Sequence, residues 1–103
     1  MSHPTLELLI LKTLGRGANH GFGITLHIQE ASGGMLGVEE GSLYPALHRL
    51  EKNGWLKGEW RVTENARRAR YYLLTTAGQD RLKEIEQSWA DLHRGMARFL
   101  RTA

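Results

Sequence analysis

Ser42, Tyr44, His48 and Arg49 stand close together in the stretch GSLYPALHRLEKNG, residues 41–54, and Arg67, Arg68 and Arg70 follow in ENARRARYY, residues 64–72. Hydroxyl, phenol, imidazole and guanidinium groups grouped in this way suit one chemistry, the hydrogen bonds and ion pairs made to base edges and phosphates. Covalent chemistry is poorly served. The five histidines, at positions 3, 20, 27, 48 and 93, form no HExxH and no close pair with a carboxylate at ligand spacing, so neither a metal nor a cofactor is expected. The segment GRGANHGFG, residues 15–23, is rich in glycine, but it follows a helical pattern rather than a strand and lacks the lysine of a P-loop. No nucleophile is set beside a base. The absence of cysteine excludes thiolate catalysis and cysteine-based zinc sites. The expectation is a binding protein and not an enzyme.

The elements that would carry these groups can be read from their periodicity. In residues 42–53, Leu43, Ala46, Leu47 and Leu50 recur at helical spacing and form one apolar stripe. Tyr44, Pro45, His48, Arg49 and Lys52 fall on the opposite face. Ser42 is expected to cap this helix with its hydroxyl, which places Pro45 in the first turn, where a missing N–H costs little. Asn53-Gly54 ends it. Such a helix presents an aromatic and basic N-terminal end, the end with which DNA-reading helices touch bases. Tyr44 also admits a plainer role, packing over the helix start, and His48 and Arg49 admit one as a solvated face.

Two helices are expected upstream, Thr5 to Leu14 and about Gly21 to Ala31, with Ser32-Gly33-Gly34 breaking the second. Met35 to Val38 reads as a short extended segment. The order suits a helix-turn-helix. Downstream, Trp55–Val62 and Ala69–Leu74 read as the strands of a β-hairpin. Four arginines, Arg61, Arg67, Arg68 and Arg70, set against Glu64 give residues 61–70 a local charge of +3, equal to the net charge of the whole chain. Trp55, Trp60, Tyr71 and Tyr72 are assigned to packing, with the two tyrosines on opposite faces. A hairpin of this charge after a reading helix is the wing of a winged helix, able to reach phosphates or the minor groove.

Thr75 is a plausible cap for a last helix running from Thr76 to about Arg101. Leu82, Ile85, Trp89, Leu92, Met96 and Phe99 follow along it at intervals of 3, 4, 3, 4 and 3, a heptad seam expected to form a two-fold dimer. The alternative is an amphipathic helix folded onto its own domain. Trp89 occupies an a position, where two indoles meeting would hold the helices apart. The apolar gap left between them, lined by Ile85, Leu92 and Met96, would take a planar hydrophobic ligand. Should Trp89 pack back onto the winged domain, no such pocket exists.

The expected fold class is therefore mainly α with a small β-hairpin: a winged helix-turn-helix over residues 1–75 and a C-terminal dimerisation helix over 76–103. A chain of 103 residues suffices for one modest core. No apolar run approaches a membrane span and the N-terminus lacks a signal-peptide pattern, so a cytoplasmic protein is expected.

The segments LELLILKTL, HGFGI, EEGSLYPALHRLEKNGW and RRARYYLLTTAG, with the helix after them, resemble the PadR family of bacterial transcriptional regulators in its short form with one C-terminal helix. The resemblance spans Leu6 to Leu100. It implies a homodimeric repressor that binds a palindromic double-stranded operator and is released by a small aromatic or multidrug-like effector held at the dimer interface. The chain departs from the family at Phe22, where the HGYG stretch usually has tyrosine, and so lacks any polar contact made by that hydroxyl. The competing expectation is a winged-helix module whose third helix docks a protein partner without binding DNA.

Overall fold

A computed structural model describes residues 4–102; His3 lies outside them. The elements in order are α1 (Pro4–Leu14), β1 (Asn19–His20), α2 (Gly21–Ala31), α3 (Glu40–Lys52), β2 (Leu56–Val62), β3 (Arg68–Leu74) and α4 (Thr76–Thr102). Their apolar stripes converge on one core. Ile10 and Leu11 from α1, Ile24 and Ile28 from α2, and Leu43, Leu47 and Leu50 from α3 meet Leu56, Tyr72, Leu82 and Ile85 there. The stripe expected on α3 is thus the buried one, and its polar face is left to solvent.

The hairpin is a three-stranded antiparallel sheet in the order β1-β3-β2. In β1, Asn19 lies opposite Tyr72 and His20 opposite Tyr71, and this short strand covers an edge of β3 that would otherwise be open. Two residues are too few to carry a strand pattern of their own. His20 then starts α2: its Nδ1 accepts the backbone N–H of Gly23 at 3.1 Å, while its ring meets the Tyr71 ring edge-on at 5.2 Å. The hairpin tip closes with the N–H of Thr63 donating to the carbonyl of Arg67 at 2.7 Å, and Ala66 turns through φ 59°.

The expected start of α3 is corrected. The helix begins at Glu40, its cap position is Glu39 with no side-chain hydrogen bond, and Ser42 lies a few residues inside the first turn. Pro45 accordingly sits beyond that turn. Its ring replaces an N–H that would have bonded the carbonyl of Gly41, and both residues are exposed, so water can satisfy the carbonyl. The segment expected to be extended, Met35–Val38, forms no strand and joins α2 to α3. The chain turns just before it, at residues 32–34, with the Ser32 hydroxyl accepting the N–H of Leu36 at 2.9 Å.

The cap expected at Thr75 is present. Its hydroxyl accepts the N–H of Gly78 at 3.0 Å and donates to the carbonyl of Gly54 at 2.7 Å, tying the start of α4 to the end of α3. The first turns of α4 then dock on α1. Leu82 and Ile85 are buried, Arg81 pairs with Glu7 at 2.7 Å, and Lys12 pairs with Glu86 at 3.2 Å. The Glu7 hydrogen bond holds the Arg81 guanidinium above its ordinary range, and the same guanidinium lies over the Trp55 ring at 4.8 Å.

From Gln87 to Thr102 the side chains of the helix are exposed, Ala97 excepted. Trp89, Leu92, Met96 and Phe99 are 49 %, 55 %, 50 % and 61 % exposed. The heptad seam is therefore divided: Leu82 and Ile85 belong to the domain's own core, because α1 has an apolar side that only α4 can cover. The four later residues face outward. No described helix is long and apolar enough to cross a membrane.

Candidate nucleic-acid interface

On α3 the alternation between buried and exposed residues sorts the candidate residues cleanly. Leu43, Ala46, Leu47 and Leu50 point inward, so Ser42, Tyr44, Pro45, His48 and Arg49 are all exposed along one side. Tyr44 is seated as well as exposed. A Cβ added to Gly21 would come within 2.6 Å of its hydroxyl oxygen, so the ring leans on the first residue of α2, and only glycine leaves it that room. The two roles considered for Tyr44 are thus combined in one side chain: 45 % of it is exposed, and the rest is held by the helix next to it. Phe22, next along, is exposed.

The arginines do not act as one cluster. Arg67 and Arg68 are exposed at the start of β3, and among the described residues neither guanidinium meets a carboxylate. Arg61 is paired with Glu59 at 2.6 Å on the other face of the hairpin. Arg70 turns back towards the domain and pairs with Glu51 of α3 at 2.8 Å, with both side chains about one-third exposed. The local charge of +3 read from the sequence is reduced because Glu59 and Glu51, outside the stretch considered, compensate two of the four arginines.

Trp60 corrects the packing assignment. It is 58 % exposed on β2, opposite Arg70, with the Arg68 guanidinium 5.1 Å and that of Arg70 5.7 Å from its ring. Its neighbours are cations and not a core. Tyr72 is the buried member of its pair and Tyr71 is half-buried, as strand alternation requires. Burial pushes the Tyr72 phenol up, and the adjacent Arg70 opposes part of that shift.

Between α3 and the wing lies an open cleft of about 480 Å³ bordered by His48, Arg49, Glu51, Lys52 and Arg70. Two grooves lie far from it, on either side of Trp89. One, of about 660 Å³, is bordered by Leu8 and Leu9 of α1, Ile28 and Leu36 near the end of α2, and Trp89 and Ala90 of α4. The other, of about 480 Å³, includes Leu8, Ile85, Trp89 and Leu92. Ile85, Trp89 and Leu92 of the expected ligand gap therefore border a groove already present in one chain, and Met96 borders neither.

The family model described as the transcriptional regulator PadR-like family matches residues 10–84. Transcriptional regulator Rv3488 of Mycobacterium tuberculosis is 41 % identical over 75 residues, 73 % of this chain and 66 % of that protein's length. Among solved structures, a transcriptional regulator from Clostridium thermocellum superposes with a TM-score of 0.85 at 28 % identity, covering 93 % of this chain and 90 % of the other. A PadR family regulator from Clostridium difficile R20291 gives 0.81 at 28 % identity over 92 % and 97 %. With the exposed helix face, the wing and the α4 extension all in place, the chain belongs to the PadR-like family, whose members are transcriptional regulators and not enzymes.

Proposed function

We propose that the chain is a sequence-specific double-stranded DNA-binding repressor that acts as a cytoplasmic homodimer and lets go of its operator when a small planar aromatic compound binds. The observation that carries the DNA part is the sorting of α3: its apolar face is fully used by the core, while Ser42, Tyr44, Pro45, His48 and Arg49 share the outward face beside a wing bearing Arg67 and Arg68. The helix would read base edges and the wing would hold the backbone.

These roles separate by mutation. The Arg67→Ala/Arg68→Ala variant is expected to bind all duplexes more weakly, with the slope of log affinity against log salt reduced by about one or two units. His48→Ala is expected instead to reduce discrimination by about 1–3 kcal/mol on the preferred sequence alone. Titrations of both variants at several salt concentrations decide this. Equal losses on every sequence would remove the division of labour, and indifference of the wild type to DNA would leave the protein-docking module as the better reading.

The effector reading is supported by Trp89, half-exposed between two grooves whose volumes fall in the range of small-molecule sites. A ligand seated there that favours one spacing of the two α4 helices would shift the separation of the α3 helices. Trp89→Ala is expected to abolish ligand-induced release and leave operator binding near normal without ligand. Absence of tryptophan quenching by planar aromatic dyes, in wild type and variant alike, would rule the pocket out.

A further inference from the structure

The Arg70 side chain takes a specific route. A Cβ added to Gly58 would lie 2.6 Å from its Nη2 and 2.8 Å from its Cζ, so the guanidinium crosses β2 directly over that glycine. It ends on Glu51 of α3, with the exposed indole of Trp60 alongside. Gly58, Trp60 and Arg70 lie on one face of the hairpin, since Gly58 pairs with Tyr72 and Trp60 with Arg70 in register. This is therefore the face turned towards α3. The link spans the cleft whose α3 side also carries Arg49 and Lys52.

The geometry of a duplex gives that cleft a purpose. Major and minor grooves are separated by a sugar–phosphate strand, so a helix in one and a hairpin in the next must straddle that strand, and the cleft between them is its seat. A carboxylate there repels phosphate unless neutralised. Glu51 is neutralised by Arg70, and the same bond fixes how far apart the two elements stand.

We propose, building on the DNA-binding reading above, that Glu51, Gly58, Trp60 and Arg70 form a brace that sets the spacing of the reading helix and the wing. The brace thereby governs discrimination between DNA sequences, while Arg49 and Lys52 hold phosphates of the strand seated in the cleft. Arg70 is then a positioning residue, in contrast to the phosphate contact expected from its place in the arginine run. Discrimination depends on the spacing because base contacts need hydrogen-bond geometry, whereas non-specific attraction to phosphates tolerates displacement.

The experiment uses the full-length protein, a duplex that the wild type selects from a random-sequence pool, and a scrambled duplex of equal length. Glu51→Ala removes a negative charge and frees Arg70, so affinity for the scrambled duplex is expected to rise while affinity for the selected duplex falls, the ratio dropping about tenfold. Gly58→Ala, which displaces the guanidinium, lowers the same ratio. Glu51→Gln, which keeps an acceptor at the same reach, restores most of it. Lys52→Ala lowers both affinities together and reduces the salt slope by about one unit. Thermal melting confirms that each variant is folded at the binding temperature. A Glu51→Ala protein whose affinity rises in proportion on both duplexes overturns the brace and leaves the DNA reading standing. A wild type that selects no sequence and binds neither duplex overturns the DNA reading itself.

Discussion

A Leu92→Asp/Met96→Asp variant is expected to sediment as a monomer and to lose about 10²–10⁴-fold in affinity for a two-half-site operator, the advantage that linking two binding units confers. Both residues are about half-exposed on the free part of α4, flanked along the helix by Trp89 and Phe99, which are no better covered. Side chains of this size left bare on one stripe of a 27-residue helix represent apolar area that a second copy would remove from water. Two carboxylates placed on the stripe oppose that burial. Because Leu82 and Ile85 are already buried in the domain, the substitutions leave the core untouched and the monomer should melt as a folded unit. Sedimentation of the variant as a dimer would show that association uses another surface.

Gly78→Ala is expected to lower stability by about 3 kcal/mol, near the upper end for overpacking, and to lower Tm by roughly 10–20 °C. An added Cβ would sit 2.1 Å from the carbonyl oxygen of Trp55 and 2.7 Å from Cδ1 of Leu74. The first contact is with backbone, which cannot swing aside. That backbone is also fixed by hydrogen bonds, since the N–H of Thr75 donates to the same Trp55 carbonyl at 3.1 Å and Thr75 bonds Gly54. The methyl would have to push α4 off the sheet it caps. Thermal unfolding followed by circular dichroism measures the effect, and a melting point within a few degrees of wild type would mean that the helix start yields more easily than its hydrogen bonds suggest.

The elements legible in the sequence were those with internal periodicity or a local chemical signal. α2 runs over the residues expected, Gly21–Ala31, and the Thr75 cap is visible from a threonine set before a helical pattern. β1 is two residues long and has no pattern of its own; it is a strand only because β3 offers an edge. The start of α3 is not legible, because serine is a strong capping signal whereas the actual start at Glu39–Glu40 makes no side-chain cap at all. Trp60 reads as a packing residue because aromatic residues in strands usually face a core, and its arginine neighbours are revealed only by the register of the hairpin. The heptad in α4 is regular across a physical boundary. Periodicity records that a stripe is apolar and does not record whether the chain itself or another copy covers it.

The Arg70–Glu51 pair joins residues 19 apart, and the charge that compensates the wing arginine lies back on α3. Short windows of sequence therefore exaggerate the charge of the wing. Three glycines, Gly21, Gly58 and Gly78, fall within expected helices and a strand, where no turn calls for them. Each marks a close approach, to Tyr44, to Arg70 and to Trp55 respectively.

The continuity of α4 has a mechanical consequence. Its first turns are anchored to α1 by buried leucine and isoleucine and by two ion pairs, and the same helix carries on without interruption into the exposed stripe. The winged domain and its half of the proposed seam thus form one stiff lever, fixed to the domain around Ile85. A dimer built from two such levers has a single adjustable joint, the seam, so any rotation there is delivered undiminished to the far ends, and the distance between operator half-sites becomes a measure of the angle at which the two helices cross.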